Sequence, residues 1–117
     1  HRDLHSFPTR RSSDLMNYHP DGGQLFYPAE KTPFVFPVAA PGDDLEPVKV
    51  IALWCDGTRG LYIHPNVWHD GIFPLADAQQ FLNRQGRVHA RVSCDFGEEF
   101  GVYLRVPLDG PTTRSSR

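Results

Sequence analysis

The sequence predicts an all-β domain, a small barrel or sandwich of short antiparallel strands, on three observations. Eleven prolines and ten glycines among 117 residues leave little room for long helices, because proline costs a helix interior about 3 kcal/mol. Short apolar and aromatic runs recur between loop-like stretches, at the spacing of about 8–12 residues typical of barrels and sandwiches. Finally, Val88, Ala90, Val92 and Cys94 alternate with His89, Arg91 and Ser93, the period of a strand with one buried face.

Taken in order, Leu25–Tyr27 and Phe34–Ala39 read as strands bounded by Pro28, Pro33 and Pro41. Pro37 inside the second run points to an edge position or a bulge, since proline cannot donate to a ladder. Pro41–Pro47 is a loop by composition. Val48–Trp54 reads as a buried strand with Trp54 in the core, and Asp56-Gly57 as a hairpin turn leading into Gly60–Ile63. Gln79–Arg84 is the next strand, although Ala76–Phe81 also fits a helical turn, and Gln85-Gly86 is a turn. Arg87–Cys94 and Phe100–Val106 then form a meander closed by the loop CDFGEE, with Phe100, Val102, Leu104 and Val106 inward. No convincing helix is expected.

The ends read differently. His1–Leu15 has neither periodicity nor an apolar run, and His5–Leu15 (HSFPTRRSSDL) resembles the translation of a common sequencing adapter. Residues 1–15 are therefore expected to be non-native read-through and disordered, 16–108 the folded domain, and 109–117 a disordered tail.

Composition excludes several classes. With 39% hydrophobic and 22% charged residues the chain reads as soluble and globular rather than disordered. Its net charge is −2, and the seven Lys and Arg between Met16 and Leu108 are scattered, so nucleic acid is not an expected partner. No stretch approaches the roughly 18 apolar residues of a membrane span. Cys55 and Cys94 lack a CxxC spacing, which excludes a disulfide-dense scaffold and makes a reducing, cytoplasmic setting the expectation. Nucleotide-binding, serine-hydrolase and zincin motifs are absent.

Histidines carry the candidate chemistry: imidazole titrates near neutrality and is the commonest metal ligand. The densest segment is His64-Pro-Asn-Val-Trp-His69. Residues five apart on a strand face opposite ways, so His64 and His69 reach one ligand only if Pro65-Asn66 turns the chain; otherwise one packs at a turn and the other is on the surface. Trp68 could wall a pocket between them. His19 precedes Gln24, which opens a strand. His89, on the polar side of its strand, is read as solvent-facing, and Asp95, Glu98 and Glu99 as a solvated turn.

Two segments resemble the ureidoglycolate lyase family. Gly60-Leu-Tyr-Ile-His64-Pro-Asn66-Val-Trp68-His69-Asp70-Gly-Ile72 is similar to its G-V-N-Y-x-x-N-V-W-H-H-P-L, and Asn17-Tyr-His19-Pro-Asp-Gly22-Gly-Gln24-Leu-Phe26-Tyr-Pro28 to its E-R-H-P-x-G-x-Q-x-F-x-P. Asn17, Tyr62 and Asp70 stand where the family has Glu, Asn and a second His. The resemblance implies a cupin-type double-stranded β-helix (jelly-roll) barrel, here expected as an N-terminally truncated fragment, and a homodimer acting on ureidoglycolate in allantoin and purine catabolism. It implies a C–N lyase releasing glyoxylate and urea, with His69 as base or metal-held orienter, His64 as its proton-transfer partner, and His19, Gln24 and Asn66 contacting carboxylate or urea. A divalent metal ion on His19 and His69 is a further expectation, although a neutral Gln24 is a weak ligand. The alternatives are a non-catalytic binder of a small carboxylate and another metal-dependent cupin enzyme.

Overall fold

The predicted alternation produces two antiparallel sheets sharing one core, in a computed structural model that describes residues 2–8, 12–85 and 90–109. The first sheet has the order β1 (Arg2–Pro8), β10 (Ala78–Gln85), β4 (Gln24–Pro28), β7 (Leu61–Ile63). The second runs β11 (Val92–Asp95), β3 (Leu15–Tyr18), β8 (Trp68–His69), β5 (Phe34–Ala39), β6 (Ile51–Cys55), with β9 (Phe73–Pro74) also on β5. A two-residue ribbon joins β2 (Ser12–Ser13) to β12 (Leu104–Arg105). The fold is all-β and cupin-like. Among the described residues no helix is long and apolar enough to cross a membrane.

Between the sheets lie Phe26, Ile63 and Phe81 from the first and Phe34 and Phe36 from the second, with Ile72. Phe81 is fully buried and meets Phe34 edge-to-face, ring centroids 4.9 Å apart at 88°, the arrangement the ring quadrupoles favour. The other face of the second sheet carries Met16, Trp68 and Cys94 against Phe96 and Leu45. Strand alternation therefore sends Trp68 to this outer cluster and its neighbour His69 inward, where its ring stacks on Phe36.

Several expectations need correction. The run beginning at Val48 is not a buried strand: Pro47–Lys49 form a 3-10 turn, and β6 lies at a sheet edge with Ile51 59% and Trp54 36% exposed. Edge strands pair on one side only, so the apolar run alone does not bury them. Asp56 and Gly57 do turn the chain, Asp56 accepting from Thr58 N–H and Gly57 at φ 86°, yet no hairpin results, because β6 pairs β5 while β7 pairs β4. Pro37 is buried in the middle of β5, not at an edge. Its carbonyl accepts from Asp70 N–H, and N–H and C=O of one strand residue point the same way; the missing donor thus falls where β5 changes partner from β8 to β9.

The segment CDFGEE is not a simple loop. Asp95 caps a short helix, α1 (Phe96–Phe100), by accepting from Glu98 N–H, and Gly101 ends it at φ 68°. Phe100 and Val102, expected inward, are each 41% exposed, while Val106 is buried. Residues 2–8 and 12–15, expected to be disordered, carry β1, β2 and the start of β3. β1 occupies the open edge of β10 in register Leu4↔Leu82, and Phe7 packs edge-to-face on Phe81. His89, Gly86 and most of the tail lie outside the described residues.

Candidate active site

The inner rows of two neighbouring strands turn polar at the same end. On β10 the inward series is Gln79, Phe81, Asn83, Gln85, and on β4 it is Gln24, Phe26, Pro28, with Gln24 in register with Gln85. Opposite them, β3 contributes Asn17 and β8 contributes His69, the two residues being in register. Of these, Asn17, Gln24, Phe26, His69, Asn83 and Gln85 line a cavity of about 280 Å³, near the lower bound of about 300 Å³ for small-molecule pockets. Larger hollows, of about 400 and 460 Å³, lie beside the β6–β7 turn and along residues 105–109, but neither is lined by an imidazole. At the first of these, burial raises the Cys55 thiol above its ordinary value, so it offers no ready nucleophile.

Two imidazoles converge in the cavity: the rings of His19 and His69 have centroids 5.1 Å apart. His69 lies 3.1 Å from the Val67 carbonyl through Nδ1, and His19 2.9 Å from the Ala90 carbonyl through its own Nδ1. A carbonyl only accepts, so in both rings Nδ1 carries a proton, and in neutral His69 the lone pair is on Nε2. Desolvation pushes His69, 6% exposed, below the ordinary imidazole range, and the neighbouring His19 adds to this against the Val67 carbonyl and Asp70. His69 is thus a neutral base at neutral pH. Asp70, also lining the cavity, accepts from the Ser13 hydroxyl and from Gly71 N–H.

The turn between the two motif histidines forms: Val67 N–H donates to the His64 carbonyl, with Pro65 leading and Asn66 at φ 72°. It does not bring their side chains together. His64 is exposed and stands edge-on to Tyr62, outside the residues lining the cavity. Asn66 is exposed and ties the turn to His19 through its backbone N–H. Trp68 points into the outer cluster, where Nε1–H donates to the Gly42 carbonyl at 2.8 Å. Of the predicted site residues, His19, Gln24 and His69 meet in the cavity.

Asn83, Gln85 and Arg91 also line it and were not among the predicted residues. Asp21 accepts from Ala90 N–H and the Ala90 carbonyl accepts from His19, so the loop after β3 clamps the chain just before Arg91. The available signal was polar residues at inward strand positions, Asn83 and Gln85, beside the apolar Phe81. Among the described residues no group of three or more His, Cys, Asp or Glu is placed to hold a metal ion. His19 and His69 supply two strong ligands, and a neutral amide oxygen is a weak substitute for the third His or carboxylate usual at a catalytic zinc.

An antiparallel double sheet with a histidine-bearing cavity between its layers is a cupin-like architecture. The fold is similar to RmlC from Streptococcus suis, solved with dTDP-D-xylose, with a TM-score of 0.53 at 10% identity over 77% of this chain and 45% of that one. The ureidoglycolate lyase family profile matches residues 4–100, and the chain belongs to that family. It is 35% identical over 98 residues to the ureidoglycolate lyase of Azotobacter vinelandii, covering 80% of this chain and 57% of the relative. To that of Agrobacterium fabrum it is 35% identical over 91 residues, 76% of this chain and 54% of the relative. The chain thus spans a little over half the length of these two relatives.

Proposed function

We propose that the protein is a ureidoglycolate lyase, eliminating urea from ureidoglycolate to leave glyoxylate. The observation that carries this reading is the pair of cavity imidazoles, each held through Nδ1 to a backbone carbonyl with Nε2 left over, beside Arg91 and a set of neutral amides. His69 Nε2 takes the hydroxyl proton, the C–O bond becomes a carbonyl, and the C–N bond breaks with its electrons going to nitrogen. The leaving nitrogen then takes up a proton. Hydroxyl oxygen and ureido nitrogen sit on one carbon, so the same imidazole is within reach of both, and a second proton carrier at His64 is unnecessary. Arg91 supplies a fork for the carboxylate, and His19 holds the hemiaminal against His69.

A divalent cation on His19 and His69 would find only two strong ligands, so no step is routed through a metal. The protein is proposed to act in the cytoplasm as a homodimer; the exposed rings of Tyr27 and Tyr62 on the outer face of the first sheet support an assembly. The test is to incubate the protein with ureidoglycolate and follow urea and glyoxylate. Equal amounts of both, above the uncatalysed rate, are expected. Binding of glyoxylate with no turnover would make the protein a carboxylate binder instead.

A further inference from the structure

One polar atom among the cavity-lining residues is buried without a bond. Gln24, 7% exposed, donates from Nε2 to Asn83 Oδ1 at 2.9 Å, while its Oε1 meets no hydrogen-bond partner among the described residues. A buried carbonyl left without a donor is destabilising, and a ligand N–H placed against it would recover that loss. Arg91, lining the same cavity, is exposed at its mouth. The site therefore carries an acceptor at its buried end and a cation at its open end, with the two imidazoles in the same cavity.

We infer that Gln24 Oε1 accepts the terminal N–H of a ureido group, so that the Gln24–Asn83 pair orients the substrate with its urea end buried and its carboxylate toward Arg91. The inference rests on the ureidoglycolate reading above and adds the direction of binding. The reverse orientation sets a carboxylate against an amide oxygen, two acceptors facing each other away from water, which is strongly unfavourable. Asn83 acts here as a positioning residue: by accepting from Nε2 it fixes which end of the Gln24 amide is left over.

Two unreactive probes separate the possibilities. N-carbamoylglycine is ureidoglycolate without the hydroxyl and cannot eliminate; N-acetylglycine replaces its terminal NH₂ with a methyl group. Calorimetric titration of the protein should show roughly tenfold tighter binding of N-carbamoylglycine, the ratio expected for one buried hydrogen bond. Gln24→Met should bring that ratio close to one while retaining N-acetylglycine affinity, and Arg91→Gln should weaken both probes alike. Equal affinities in the unsubstituted protein, or a preference surviving in Gln24→Met, overturn the assignment and leave the substrate reading standing. Failure to bind either probe overturns both. If Gln24→Met loses its far-ultraviolet circular dichroism, the two probes on the unsubstituted protein decide alone.

Discussion

Replacing His69 with asparagine separates its chemistry from its architecture. The asparagine amide N–H lies near the position of Nδ1 and keeps the bond to the Val67 carbonyl, but nothing replaces Nε2. The structural loss is the stacking on Phe36, at a centroid distance of 5.9 Å and 19° between planes, worth about 0.5–1.5 kcal/mol for an aromatic pair. The chemical loss is larger. Removing a general base lowers kcat by about 10²–10⁴-fold, or roughly 2.7–5.4 kcal/mol of barrier. Arg91 and Gln24 remain, so KM should move only a few-fold, on the order expected when ground-state binding is kept. The assay is urea release as a function of pH. Burial holds His69 below the ordinary imidazole value, so the unsubstituted protein should be fully active at neutral pH and lose activity through an acid limb below about 6.5. In His69→Asn that limb should disappear along with most of the rate. A variant retaining kcat within about threefold, with the limb intact, would show that another group takes the proton.

The remaining predictions concern stability and the excluded histidine. Because folding lowers the His69 pKa, the unfolded chain binds more protons just below pH 6.5, so His69's stability contribution is complete above that pH. It is lost on acidification toward the folded value, with a slope approaching about 1.4 kcal/mol per pH unit; urea melts of His69→Asn should lack this component, and an unchanged slope would assign it elsewhere. Phe81→Ala, at a fully buried ring meeting Phe34 edge-to-face, should cost about 3–5 kcal/mol in a denaturant titration, and a loss under about 1 kcal/mol would mean the site collapses freely. His64→Ala, at an exposed ring outside the cavity, should leave kcat within about twofold, whereas a hundredfold loss would restore His64 to the proton path.

Local structure was legible where local chemistry decides it. Phe34–Ala39 has the same limits in the sequence reading and in β5, and Pro65-Asn66 makes the turn its composition demands. Pairing was not legible. Asp56-Gly57 reverses the chain, but whether β6 and β7 become partners depends on registers set from distant residues, and each found a strand earlier in the chain. The helix at Phe96–Phe100 was signalled by Asp95 followed three residues later by Glu98, a cap pattern outweighed by the apolar alternation around it. In the site, the motif histidines were read as a pair because they are close in sequence, yet alternation after the turn sends His69 inward and leaves His64 outside.

Asn83 and Gln85 escaped because inward positions were assumed to be uniformly apolar, and Arg91 because it was read on the polar side of its strand, where it stands exposed at the cavity mouth. A core filled to the end of every inner row would leave no cavity. By ending the β4 and β10 rows in Gln24, Asn83 and Gln85, the sequence gives up apolar burial at one end of the sandwich and keeps it at the other, where Phe26, Phe34 and Phe81 close the layers. His69 is delivered from the opposing sheet, so the base and the amides that face it belong to different sheets, joined through this aromatic core. A change that loosens Phe81 should therefore widen the separation between Gln24 and His69 before it unfolds the chain, and substrate positioning should suffer ahead of stability.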